Sequence, residues 1–85
     1  MEDKWKIVGK TISAAKAPCI RQKIAYYNPK FPEWHITANK HEEPHATGSG
    51  SWTWTDFEAW HERKVISQTF HRLMDAKAFV QQQSQ

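Results

Sequence analysis

Five histidines in a chain of 85 residues raise metal binding as the first chemical question. His41-Glu42-Glu43-Pro44-His45 sets two histidines four apart, with a glutamate directly after the first. That is the spacing by which a helical zinc-protease motif points both imidazoles at one ion. The motif needs a continuous helix, and Pro44 lacks the N–H and clashes with the preceding turn. The segment also runs into Gly48-Ser49-Gly50. His35 could approach this region, but no third ligand is assigned. Residues 41–50 are therefore expected to be an exposed, metal-free polar loop whose histidines sit apart.

Other reactive groups give no better set. Cys19 is the sole cysteine, so neither an internal disulfide nor a cysteine-based zinc site can form. It follows Pro18 at the mouth of an apolar segment and reads as a small structural thiol. Glu42, Glu43, Asp56, Glu58 and Glu62 supply carboxylates, but Glu58 and Glu62 read as helix-surface and capping groups. Gly48-Ser49-Gly50 has neither the lysine nor the following helix of a phosphate loop. No catalytic residues, metal or cofactor are expected, and the chain does not read as an enzyme.

A basic and aromatic set remains. The formal charge is +3. Up to Lys40, eight basic residues face three acidic ones; beyond it, four basic residues face six acidic ones. The basic part is interleaved with Trp5, Tyr26, Tyr27 and Trp34, a mixture that attracts phosphate and offers rings for base stacking. Alternation from Ile20 puts Ile20, Ile24 and Tyr26 on one side of a strand, and Arg21, Lys23, Ala25 and Tyr27 on the other. Asn28-Pro29-Lys30-Phe31-Pro32 is a turn, because two prolines forbid a continuing central strand. In Glu33–Asn39, Trp34, Ile36 and Ala38 alternate inward against Glu33, His35, Thr37 and Asn39. A hairpin built this way has Arg21, Lys23, Tyr27, Lys30 and His35 as its candidate nucleic-acid-binding residues.

The rest of the chain must hold that hairpin. Trp5-Lys6-Ile7-Val8 reads as a strand with Gly9 as a bulge or exit, and Ser51–Thr55 as a short strand with both indoles on one side. Strands are thus expected at about 4–8, 20–27, 33–39 and 51–55. Thr55-Asp56-Phe57-Glu58 matches a capping box at a helix start. Ile66, Phe70, Leu73, Ala76 and Val80 then recur at helical spacing. The face of Phe57 and Trp60 lies far around a helix from that of Ile66 and Leu73, so one straight helix does not fit. Either a capped helix breaks into a second one, or residues 63–70 form a strand and only about 71–82 is helical. Helix through most of 56–82 is the favoured reading.

Ser67-Gln68-Thr69-Phe70 leading into Met74-Asp75-Ala76-Lys77-Ala78-Phe79-Val80 resembles the close of small DNA-binding domains built from a three-stranded sheet and a helix. The arm-type domains of phage integrases and the plant AP2 domains are of this kind. The resemblance covers residues 67–80 in common residue types and implies nucleic-acid binding without assigning a family.

One domain over 1–85 is expected, with sheet at about 4–55, a helical segment at about 56–82 and a polar tail at 83–85. The class is α+β: an antiparallel sheet of three or four strands packed by a C-terminal helical segment. Five tryptophans and a hydrophobic share of only 39% concentrate the apolar area in few positions. Trp34, Ile36, Ile24, Trp52, Phe70, Leu73 and Val80 form the expected core. No apolar run is long enough for a membrane span or a secretory leader, so a cytoplasmic setting is the expectation. The first functional expectation is a non-enzymatic nucleic-acid-binding accessory domain using the hairpin. The other is a protein-binding regulator or inhibitor that docks through exposed tryptophan and the helix surface.

Overall fold

The Asn28–Pro32 turn is closed by its own side chain. Asn28, buried, accepts the Lys30 N–H on its Oδ1 at 3.0 Å. Its carbonyl accepts from Phe31 at 2.9 Å, and the Phe31 carbonyl accepts from Trp34 at 3.0 Å. These bonds reverse the chain where prolines prevent extension. In this computed structural model, which describes residues 4–84, the turn joins two strands of a five-stranded antiparallel sheet. The elements are β1 (Lys6–Ile12), β2 (Cys19–Tyr27), β3 (Trp34–Pro44), β4 (Ser51–His61), β5 (Ser67–Phe70) and α1 (Leu73–Gln83). The strands lie side by side in chain order, so every connection is a short reversal. The fold is α+β, with one helix after the sheet. Among the described residues, no helix is long and apolar enough to cross a membrane.

Two expectations change here. Residues 56–61 are strand, not helix: β4 runs unbroken from Ser51 to His61 and pairs with β3 from Pro44↔Ser51 to Trp34↔His61. The capping-box pattern at Thr55–Glu58 is a local preference, overridden when Phe57, Ala59 and His61 can alternate onto the buried row of β3. Glu58 instead accepts the Ser67 hydroxyl at 2.8 Å. The sheet therefore has five strands rather than three or four: Ser67–Phe70 forms β5, inside the 63–70 strand of the alternative reading, and the helix begins only at Leu73. Likewise, β3 continues to Pro44, so the expected 41–50 loop shrinks to 45–50. Gly48 and Gly50 there adopt φ of 79° and 77°, the left-handed region that favours glycine.

The core lies between α1 and one face of β3–β5. Trp34, Ile36, Ala38, Ala59, Ala76 and Val80 are buried, and Phe57, Phe70, Leu73 and Phe79 close its edges. Ala59 and Ala76 are small enough for helix and sheet to approach closely. Trp34 meets His61 and Phe79 edge-on, with ring centroids 5.0 and 5.7 Å away. The His61 Nδ1 accepts the backbone N–H groups of Arg63 and Lys64 at 3.1 and 3.0 Å, so its proton sits on Nε2, 3.2 Å from Glu33. A buried imidazole therefore ties the β4–β5 turn to the β2–β3 turn. Trp52, expected inside, is 64% exposed on the opposite face. Ile24 is only half-buried.

Trp34→Ala is expected to cost about 3–5 kcal/mol, as large-to-small truncations of buried aromatics do. Urea unfolding followed by far-UV circular dichroism checks this. A midpoint shift equivalent to less than 1 kcal/mol, roughly a surface effect, would contradict the packing role.

Candidate functional site

Because α1 packs on one face of the sheet, over β3–β5, alternation assigns the other face to a defined set of side chains. On β3 these are His35, Thr37, Asn39 and His41; across the ladder on β4 stand Trp60, Glu58, Asp56 and Trp54. Tyr27, Ala25 and Lys23 extend the set onto β2, and Lys6 opposite Tyr27 extends it onto β1.

The rings on this face are organised in cross-strand pairs. His35 lies directly opposite Trp60 and stacks on it at 4.5 Å with 23° between planes. Tyr27 adjoins His35 at 5.8 Å. His41, opposite Trp54, stacks on it at 5.0 Å and is nearly parallel at 9°. Near the hairpin tip, His45 meets Trp52 edge-on at 4.5 Å, and its Nδ1 donates to the Ser49 carbonyl at 2.8 Å. Each indole thus has an imidazole packed against it. Trp54 and Trp52 still expose 46% and 64% of their surface.

Polar bonds hold these rings in place. The Trp60 Nε1–H donates to Thr37 Oγ1 at 3.1 Å. His35 Nε2 lies 2.9 Å from Glu62, and His41 Nε2 lies 2.8 Å from Asp56 Oδ2. Asn39, buried, donates to the other oxygen of Asp56 at 3.4 Å. Asp56 and Glu62 are therefore engaged by groups of the face itself, which limits the repulsion they present to an anion.

The five residues singled out from the sequence are only partly brought together. Tyr27 and His35 are neighbours, and Lys23 stands exposed opposite Asn39 on the same face. Arg21 sits where a bulge shifts the β2–β3 register between Ile20 and Gln22. Its Nε and Nη2 donate to Glu42 at 3.2 Å each, and its Nη1 donates to the Ser13 carbonyl at 2.7 Å. The hydrogen bonds it donates to Glu42 raise its pKa above the ordinary arginine value, with burial opposing them. Arg21 is thus a fastener between β2, β3 and the β1–β2 connection rather than a cation clear of carboxylates. Lys30 projects from the β2–β3 turn, with Nζ 5.7 Å from the Phe31 ring centroid. Trp54, Trp60 and His41 belong to the face but were not singled out. For the indoles the signal was the alternation running from Trp52 to Trp60, which the capping-box pattern concealed, and for His41 it was the continuation of the β3 alternation past Asn39.

His41 and His45 are each taken up by separate partners, and among the described residues no three His, Cys, Asp or Glu side chains group as a metal site requires. The chain matches no family model, no curated protein and no solved structure.

Asp56→Ala would leave the Asn39 amide and the His41 imidazole without their acceptor. A buried polar group stripped of its partner costs about 1–3 kcal/mol. Chemical denaturation should show a loss in that range, and Asp56→Asn, which retains an oxygen acceptor, should lose less. Equal losses would mean that both carboxylate oxygens are needed, since Asn matches Asp in shape, and no loss for Asp56→Ala would contradict the hydrogen-bonding role.

Proposed function

We propose that the open sheet face binds single-stranded nucleic acid, without catalysis, as an accessory domain. The observation carrying this reading is the pair of indoles Trp54 and Trp52, exposed on a face the helix leaves bare and backed by His41 and His45. A ring fixed in place loses little further freedom when a base stacks on it, and every base offers a π-face. A shallow depression beside Trp54 is lined by Pro18, Ile20 and His41 together with Glu42 and Glu43, the former bonded to Arg21, and its apolar wall offers a surface to one unstacked base. Lys6 and Lys23 stand on the β1–β2 side of the rings, in the basic first half of the sequence, and this supports the reading by offering cations to a phosphate backbone. Flat rings on an open sheet favour single strands, whose bases are free to splay, over a duplex whose bases are already stacked.

Stacking and charge contribute separably. Binding of a fluorescently labelled homopolymeric oligonucleotide should weaken steeply between low and physiological salt. Trp54→Ala should cost about 1–3 kcal/mol of affinity while leaving the salt dependence intact. Lys23→Ala should lower the slope of log affinity against log salt by about 0.7, the share of one phosphate contact on a single strand. Arg21→Ala, with its guanidinium already committed to Glu42, should leave that slope alone. No binding at low salt, or wild-type affinity for Trp54→Ala, would sink the reading.

A further inference from the structure

The helix covers only half of the face it packs on. Among the described residues α1 contacts β3, β4 and β5 but neither β1 nor β2. On the uncovered half, Ile7 and Ile12 are 61% and 67% exposed, beside half-buried Tyr26 and Ile24, and register places all four on the same face as Ile36. The outer side of the helix is in turn exposed at Met74, Asp75 and Ala78. The surface is therefore a step: a raised helix beside a bare, apolar strip of sheet.

The exposed surface is also larger than the average for a compact monomer of this mass. A folded monomer of 10.0 kDa exposes about 5,200 Å², whereas this chain exposes 6205 Å². Its radius of gyration is 14.6 Å, against about 12 Å for a compact domain of this length. The surplus of about 1,000 Å² is close to what one partner contributes to an interface of standard size, about 800 Å².

From the step and this surplus we infer that a second copy of the chain covers the bare half, the helix of each protomer seated on β1–β2 of the other. A two-fold axis running along the strands carries the helix over β3–β5 of one copy to the empty place above β1–β2 of its partner. The same axis returns the favour, so the contact closes on itself and no surface is left to propagate a filament. The chemistry of the two parts agrees: Met74 and Ala78 are offered to Ile7 and Ile12, and Asp75 and Lys10, both exposed, are of opposite sign. Edge-to-edge pairing through β1 is the less suitable route. A bulge between Ile7 and Gly9, flanked by Lys6 and Lys10, is the kind of feature that protects an edge strand from addition. The dimer leaves the ring-bearing face open on both outer sides, so this inference stands independently of nucleic-acid binding.

Sedimentation equilibrium of the full chain tests it. The expected mass is twice 10.0 kDa. Ile12→Glu on the bare strip and Met74→Glu on the helix should each weaken self-association at least tenfold with unchanged far-UV circular dichroism, whereas Thr69→Lys on the opposite face should not. Three results would overturn the inference: a monomer at the highest attainable concentration, an open-ended series of larger species, or a dimer indifferent to both glutamate substitutions. In the first case, a mixed complex formed only with an unrelated protein would give that protein the apolar strip.

Discussion

The β3–β4 ladder is the constraint on which the rest depends. Its pairing runs without a register break from Trp34↔His61 to Pro44↔Ser51. Because side chains alternate strictly across a strand, that one register decides the content of both faces at once. Trp34, Ile36 and Ala38 with Phe57, Ala59 and His61 become the floor for the helix. His35, Thr37, Asn39 and His41 with Trp54, Asp56, Glu58 and Trp60 become the open face. A slip of one residue would put indoles and carboxylates under α1 and expose the core, so packing and candidate site are held by the same hydrogen bonds.

What the ladder does not supply is a complete core. The largest fully buried side chains are Ile36 and Val80. A small domain has little apolar area to remove from water, and each buried ring counts for a large share of it. The edge-on packing of Trp34 against His61 and Phe79, and the use of His61 as a double acceptor for the β4–β5 turn, concentrate stability at one end of the sheet. The β1 edge and the β3–β4 hairpin tip instead carry apolar residues in water.

The open face combines rigidity with exposure. An imidazole opposite an indole is bonded at its far nitrogen to a carboxylate in two cases, Glu62 behind His35 and Asp56 behind His41. Each carboxylate thus orients a histidine, and each histidine supports a tryptophan. This couples the acidic second half of the sequence to the aromatic platform, where charge alone would set the two halves apart.

Sequence alone determined what is local: the Asn28–Pro32 reversal, the inward row Trp34, Ile36 and Ala38, and the terminal helix carrying Ala76 and Val80. It also bounded the chemistry, since one cysteine leaves no partner for a disulfide within these residues and Pro44 interrupts the helix that the His41–His45 spacing would need. Only the tertiary structure decided the fate of residues 56–61, because a capping box satisfies neighbouring amides whereas a strand satisfies them across the chain, and a pattern of Trp, Asp, Phe, Glu, Ala and Trp serves either. Arg21 shows the same division. Its side of the strand was readable from alternation until a bulge, which exists only relative to β3, turned it toward Glu42. Trp52 was legible as one of a pair of indoles on a single face, but which face the helix would cover depends on contacts more than twenty residues away in the chain. Alternation fixes two sets of side chains; long-range packing alone chooses which set meets water.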